Sequence, residues 1–152
     1  SGNSKVLREM HRPYDAEYFE GLVERLYAAM PTLSLSTDII CGFPGETDQE
    51  FNDTVELAKR CRFTKIHVFP YSKRQGTPAA ERADQIEPEV RSARAKHLRE
   101  VADALRAQQL SERAGTTELA LVEEAGQAMT ESYFEVPAPK GARIGQLVSV
   151  VL

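Results

Sequence analysis

Apolar and polar positions near the start of the chain follow the period of an α-helix. A short helix is predicted over residues 4–10, and a loop follows it through Pro13. The next helix has a clearer beginning, because Asp15 is a typical N-cap residue, and Pro31 ends it. Its apolar side chains recur at helical spacing, at Tyr18, Phe19, Leu22, Val23, Leu26 and Met30.

The pattern then changes to that of a strand, a helix and a second strand. Strands are predicted over residues 33–40 and 65–69. Between them, Thr47 and Glu50 have the spacing of a capping box, which marks the beginning of a helix. Because strands joined through a helix run parallel, this segment is predicted to be a βαβ unit of an α/β sheet or barrel.

The last part of the chain changes character twice. Residues 70–88 are rich in proline, glycine and charge and are predicted to form a long loop. Pro88 then occupies the first position of a long helix that is expected to end before Gly115. Three short β-type segments follow, TTELALVEEAG, ESYFEV and GQLVSVVL. They predict a small all-β unit that is too small to be stable without further support.

Composition narrows the class of protein. Hydrophobic residues make up 41% and charged residues 28%, which is ordinary for a soluble globular chain. The net charge of −4 gives no sign of nucleic-acid binding, so any RNA contact needs a local basic patch. No apolar run approaches the roughly 20 residues of a membrane helix. Two separated cysteines, Cys41 and Cys61, form no disulfide scaffold or metal site, and a cytoplasmic location is expected.

The segment after the first predicted strand is a candidate ligand-binding turn. It reads GFPGE, from Gly42 to Glu46, and it connects a strand to a helix. Parallel sheets bind ligands at the carboxyl ends of their strands, and glycine lets the backbone approach a ligand closely. Asp38 and Glu46 can accept hydrogen bonds from ammonium or hydroxyl groups. On the residues alone, a tight turn without a ligand remains an alternative, and the turn lacks the Gly-Lys-Ser/Thr of a P-loop.

The end of the second predicted strand carries a similar set. Ile66 and Val68 share one face of this strand and His67 and Phe69 the other, so one set faces the helices and the other the interior. If His67, Phe69 and Tyr71 face the interior, they form an aromatic and polar wall near a ligand. A histidine that packs in the core with a satisfied hydrogen bond is the alternative for His67. Lys73 and Arg74 follow in a polar loop, where two cations can meet phosphates or can simply face solvent.

Together, GFPGET and the stretch HVFPYSKRQGTPAA about 20 residues later resemble the methylthiotransferases of the radical S-adenosylmethionine superfamily. The opening SGNSKVLREMHRPY is similar to the segment that follows the fourth barrel strand in this family. The last 40 residues resemble its TRAM domain, a small RNA-binding β-barrel, through residues 130–133 and 145–148. The resemblance covers essentially the whole chain and is closest to the branch that acts on threonylcarbamoyladenosine in tRNA.

The resemblance implies a fold and a division into domains. Residues 1–86 would be part of a TIM-like radical S-adenosylmethionine α/β barrel, about half of it, with parallel strands. Residues 87–114 would be a connector helix, and residues 115–152 the TRAM-like β-barrel domain. The exposed sheet edges of a half barrel lead us to expect self-association.

The resemblance also implies an activity for the whole protein. Such an enzyme adds a methylthio group to C2 of a modified adenosine, here N6-threonylcarbamoyladenosine, beside the tRNA anticodon. It uses S-adenosylmethionine and two [4Fe-4S] clusters, and its partner is the anticodon stem-loop. The family's Cys-x-x-x-Cys-x-x-Cys loop is absent from this sequence. We therefore expect a piece that lacks the N-terminal domains of the same protein, contains no catalytic residue or metal ligand, and is inactive alone.

Three alternatives remain open for the function. The chain could be a stand-alone RNA-binding module. It could belong to a methylthiotransferase that acts on an aspartate of a ribosomal protein. It could also be a different barrel enzyme whose GFPGE turn binds another ligand.

Two groups of site residues follow from the resemblance. The expected cofactor-binding residues are Asp38, Ile40, Gly42, Pro44, Gly45, Glu46, His67, Phe69 and Tyr71. The expected RNA-binding residues are Lys73, Arg74, Arg113, Tyr133, Lys140 and Arg143. Against RNA binding, the segment from Gly115 onward has five carboxylates and only two cations, which is a net charge of −3.

Overall fold

The computed structural model describes residues 1–152. The chain divides into two compact units, Ser1–Arg106 and Ala107–Leu152, and each is described by itself. No helix in either unit combines the length and the apolar character that crossing a bilayer requires.

The first unit contains helices and two strands in alternation. Its helices are α1 (Ser4–Glu9), α2 (Ala16–Ala29), α3 (Asp48–Arg60), the short α4 (Pro78–Glu81) and the long α5 (Pro88–Glu112), which continues beyond this unit. Its strands are β1 (Ser36–Cys41) and β2 (Lys65–Pro70). The predicted helices and strands are therefore present, although the first strand begins at Ser36 and not at residue 33. The only addition is α4, which lies within the stretch predicted to be a loop.

Polar side chains fix the beginnings of the helices. The carboxylate of Asp15 accepts a hydrogen bond from the amide of Tyr18, as expected of an N-cap. Thr47 and Glu50 form the complete capping box predicted for α3. Both predictions are confirmed. They could be made from the sequence because a cap depends on residues three positions apart.

Strands β1 and β2 pair in parallel and so complete the predicted βαβ unit. Ile39 and Cys41 of β1 lie in the hydrophobic core, and Ile66 and Val68 of β2 pack against it. The core also contains side chains from the helices, among them Val23, Phe51, Val55, Ala95 and Leu98. One face of the two-stranded sheet is thus covered by helices, which leaves the other face available to line a site.

The register aligns the residues of that second face. Asp38 pairs with His67, and Ile40 pairs with Phe69. His67 is exposed, so the alternative of a core histidine is wrong. Side chains alternate between the two faces of a strand. Because Ile39 and Cys41 of β1 and Ile66 and Val68 of β2 face the core, the four residues between and beside them share the opposite face.

The second unit is an antiparallel sheet of four strands in the order β5-β4-β3-β6. The strands are β3 (Thr117–Glu124), β4 (Gln127–Thr130), β5 (Glu135–Pro137) and β6 (Leu147–Val151). Small side chains from three of them, Ala120, Val122, Ala128 and Val150, form its core. With this sheet, the predicted fold class of a partial α/β unit and a small all-β unit is confirmed.

The prediction of three β segments in this unit is wrong in two details, because the sheet has four strands and β4 (Gln127–Thr130) lies outside the predicted segments. Residues 131–134, predicted as part of the strand ESYFEV, form a turn between β4 and β5. Tyr133 adopts a positive φ of 63°, which lies outside the β region of backbone conformation. Strand β4 lacks β-branched residues except Thr130, so its sequence gave little strand signal.

A buried carboxylate joins the parts of the second unit. Glu118 accepts a hydrogen bond from Arg113 at 3.2 Å and others from the amide and hydroxyl of Ser132. Burial alone would raise the pKa of Glu118. The hydrogen bonds from Ser132, Thr130 and Arg113 outweigh burial, and the pKa lies below its usual value.

This lowered pKa makes the second unit sensitive to acid. The folded state binds a proton at Glu118 less readily than the unfolded state, so the stabilisation is complete above the unfolded pKa and is lost as the pH falls through the folded pKa. We expect Glu118→Gln to destabilise this unit by roughly 1–3 kcal/mol at pH 7 and to flatten its acid transition. Urea unfolding between pH 3 and 7 would measure both effects, and an unchanged acid transition would contradict the assignment.

Candidate functional site

A cavity of about 540 Å³ opens on the uncovered face of the β1–β2 pair. Its wall includes Asp38 and Ile40 of β1 and Phe69 of β2. The segments around α1, after β1 and after β2 complete it, with residues that include Leu7, Met10, Arg12, Tyr14, Phe43, Tyr71, Ser72 and Arg74. Its volume is in the range of sites for small molecules and nucleosides.

The wall of this cavity consists of apolar side chains and a few polar groups. Phe43 and Tyr71 meet edge to face, with ring centroids 5.5 Å apart. Asp38 is exposed, and its carboxylate has no hydrogen-bonding partner within the chain. The cavity can therefore hold a flat apolar group and offers a free acceptor for a hydroxyl or ammonium group.

Five of the residues predicted from the sequence lie in this wall. They are Asp38, Ile40, Phe69 and Tyr71, predicted for the cofactor, and Arg74, predicted for RNA. His67 is on the same face of the sheet but is not part of the wall. Their contacts with a ligand stay predictions.

The other predicted cofactor residues lie in the GFPGE turn and not in the wall. Pro44 and Glu46 are buried, and a carboxylate oxygen of Glu46 accepts a hydrogen bond from the amide of Gly42 at 2.9 Å. Gly45 donates its amide hydrogen to the carbonyl of Asp84 at 2.8 Å. In this structure, these residues determine the shape of the turn beside the cavity, and their contact with a cofactor stays a prediction.

Gly42 is a position where the structure requires glycine. Its φ of +72° is in the left-handed region, and a Cβ there would overlap the Cγ of Arg91. The close approach places helix α5 directly against the turn. The two arginines of α5 that face this region were not predicted as site residues.

Arg94 of α5 makes the most buried ion pair of the first unit. It lies 2.9 Å from Glu46, and the side chains of the two residues are 8% and 1% exposed. The guanidinium also binds the carbonyl of Glu46 and the carboxylate of Asp48. Burial raises the pKa of Glu46, and the Gly42 amide and Arg94 oppose that rise only in part.

Arg91 completes the attachment of α5 to the strand ends. It donates a hydrogen bond to the carbonyl of Tyr71 at 2.6 Å. Arg91 and Arg94 are three positions apart and so lie on one face of the helix. That spacing was the only sequence signal for their role, and charged pairs at this spacing are common on solvated helices.

The two cysteines belong to the core. Cys41 is fully buried and Cys61 is 1% exposed. Burial raises the pKa of each thiol to about 11, so both are protonated at neutral pH. Nowhere in the structure do three or more His, Cys, Asp or Glu side chains come together as a metal site.

The residues predicted to bind RNA are in different surroundings. Lys73, Lys140 and Arg143 are exposed. Tyr133 is 67% exposed in the turn after β4. Arg113 pairs with Glu118 and lies over the ring of Phe134, with its guanidinium carbon 5.9 Å from the centroid. RNA binding by these residues stays a prediction.

Comparison with known proteins finds no matching family model. Individual relatives match clearly. A tRNA-2-methylthio-N(6)-dimethylallyladenosine synthase from Carboxydothermus hydrogenoformans is 45% identical over 105 residues, which cover 69% of this chain and 24% of the relative. The corresponding synthase from Bacillus licheniformis is 40% identical over 159 aligned positions, covering 99% of this chain and 31% of the relative. The chain belongs to the family of tRNA methylthiotransferases.

Relatives in this tRNA methylthiotransferase family carry names for two different nucleosides. The threonylcarbamoyladenosine tRNA methylthiotransferase MtaB from Bacillus subtilis is 44% identical over 69% of this chain and 23% of its own length. That identity is within one percentage point of the value for the Carboxydothermus dimethylallyladenosine synthase. Overall identity therefore does not separate the branches. The chain spans between 23% and 31% of the length of these three methylthiotransferases.

Proposed function

We propose that this chain forms one wall of the nucleoside and cofactor cavity of a radical S-adenosylmethionine tRNA methylthiotransferase. The observation that supports the proposal most directly is the cavity beside β1 and β2, in a chain whose relatives are tRNA methylthiotransferases. In the proposal, residues 1–86 belong to the barrel, residues 87–114 to a connector and residues 115–152 to a TRAM-like RNA-binding domain. The protein acts in the cytoplasm.

S-Adenosylmethionine fits the residues of this wall. Ile40 and Phe69 offer an apolar surface to an adenine ring, and Asp38 has a free carboxylate for ribose hydroxyls or for an ammonium group. When bound, the cofactor and the clusters supply the radical, the sulfur and the methyl group of the transfer. The residues of this chain bind and orient the nucleoside and exclude water from it.

The iron–sulfur clusters do not fit the residues of this chain. Cluster ligands are thiolates, and the protonated thiols of Cys41 and Cys61 are buried in the core. We assign the cluster ligands to other parts of the same protein, and we expect this chain alone to be inactive. Without those parts, the open edges of the β1–β2 pair are expected to cause self-association.

The substrate that we propose is N6-threonylcarbamoyladenosine beside the tRNA anticodon. The sequence HVFPYSKRQGTPAA favours this branch, and one of the relatives is named for the same nucleoside. Lys73, Lys140 and Arg143 are exposed and would contact phosphates of the stem-loop. Arg74 lies in the wall of the cavity in which the nucleoside would bind.

Replacing Asp38 in the full-length protein tests the proposal. We expect Asp38→Asn to weaken S-adenosylmethionine binding, measured by equilibrium dialysis, by roughly tenfold or more, because a charge-assisted hydrogen bond is lost. Methylthiolation of an anticodon stem-loop, followed by mass spectrometry, should fall with it. Asp103→Asn, an exposed carboxylate on α5, is the matched control. Unchanged binding in Asp38→Asn, or no modification of tRNA by the unaltered protein, would refute the assignment.

A further inference from the structure

Two arginines of the cavity wall have no partner within the chain. Arg12 follows α1 and Arg74 follows β2, and both side chains are exposed. Neither guanidinium forms an ion pair or a hydrogen bond in the structure. Arg82 in the same unit shows the contrast, because it binds both Glu9 and Asp84.

The charge of the wall differs from that of the whole protein. The net charge of the chain is −4, whereas the cavity wall contains two guanidinium groups and one carboxylate. A guanidinium presents a planar fork of donors that matches a carboxylate. Phe43 and Tyr71, which are not assigned to the adenine of S-adenosylmethionine, offer aromatic surface in the same cavity, so a base and an attached anionic group can be bound together.

We infer that Arg12 and Arg74 bind the carboxylate of the N6 substituent and thereby select a nucleoside with an anionic substituent over one with a hydrocarbon substituent. The inference rests on the proposed function and adds the residues that determine its specificity. A threonylcarbamoyl group ends in a carboxylate, whereas a dimethylallyl group is uncharged. When the site binds the uncharged group, the two guanidinium groups lose hydrating water and gain no anionic partner, which makes this binding less favourable.

Two other anions have the same chemistry. The carboxylate of S-adenosylmethionine and the phosphates of the stem-loop can also bind a guanidinium. Each predicts a different response when the arginines are replaced. Loss of a cofactor contact affects both nucleosides equally, and loss of a phosphate contact affects every stem-loop, whatever its N6 substituent.

The test compares Arg12→Gln and Arg74→Gln, singly and together, with the unaltered full-length protein. Arg8→Gln is the matched control, because Arg8 is an exposed cation of α1 outside the wall. Binding is measured for three nucleosides: N6-threonylcarbamoyladenosine as the free acid, its methyl ester and N6-dimethylallyladenosine. We expect each wall variant to weaken binding of the free acid by roughly tenfold and to leave the two uncharged ligands within about twofold.

Modification of stem-loops with each substituent is measured in parallel. In the double variant, the ratio of kcat/KM for the threonylcarbamoyl stem-loop to kcat/KM for the dimethylallyl stem-loop should fall by at least about tenfold. Equal losses for both substrates, weaker S-adenosylmethionine binding alone, or unchanged binding of the free acid would each overturn the inference. If the unaltered protein modifies neither stem-loop, the proposed function itself fails. If it modifies both stem-loops and the arginine variants do not change the ratio, only the inference fails.

Discussion

Arg94→Ala is expected to lower the free energy of unfolding of the first unit by about 3–5 kcal/mol. The replacement leaves the carboxylate of Glu46, which is 3% exposed, without its cation. It also removes the hydrogen bonds to the carbonyl of Glu46 and to Asp48. Urea denaturation followed by circular dichroism would measure the change.

Two further variants separate the cause from a general effect of mutating α5. Arg99→Ala removes an exposed cation from the same helix and should change stability by less than about 0.5 kcal/mol. Glu46→Gln combined with Arg94→Met removes both charges and should recover part of the loss. If Arg94→Ala is as stable as Arg99→Ala, the pair does not hold α5 against the turn.

Phe134→Ala is expected to unfold the second unit while the first unit stays folded. Phe134 is 2% exposed and is the largest fully buried side chain of the protein. Truncation of a buried phenylalanine costs about 3–5 kcal/mol. The remaining core consists of small side chains, so the unit has little stability to lose. Amide hydrogen exchange should show fast exchange throughout β3–β6 and preserved protection in β1 and β2.

The neighbouring aromatic residue provides the control. Tyr133 is 67% exposed, and Tyr133→Ala should change the protection of β3–β6 by less than about 1 kcal/mol. Protection that is retained in Phe134→Ala would show that the unit does not depend on this side chain. Loss of protection in both units would contradict the expectation that the effect is confined to the second unit.

Local signals explain what the sequence could predict of the fold. The cap at Asp15 and the capping box of Thr47 and Glu50 each depend on a few adjacent residues. The alternation in β2 separated Ile66 and Val68 from His67 and Phe69 before the structure showed which pair is buried. These features need no knowledge of distant parts of the chain.

Features that depend on distant contacts were missed. Arg91 and Arg94 are charged residues of a long polar helix, and their role appears only when α5 lies against Gly42 and Glu46. Arg12 and Arg74 are 62 positions apart, and nothing local relates them to one cavity. The turn at Tyr133 and Phe134 has strand-like residue types, and the burial of Phe134 in a turn overrides that preference.

The register of β1 and β2 has a consequence for how this segment can change during evolution. The connection from Cys61 to Thr64 sets which residues of β2 lie opposite Asp38 and Ile40. Deleting or inserting one residue there would turn Ile66 and Val68 toward the cavity and would place His67 and Phe69 in the core. The connection therefore cannot change by a single residue in length, and functional homologues should differ there by substitutions that keep Cys61 and Phe63 apolar or by an even number of residues.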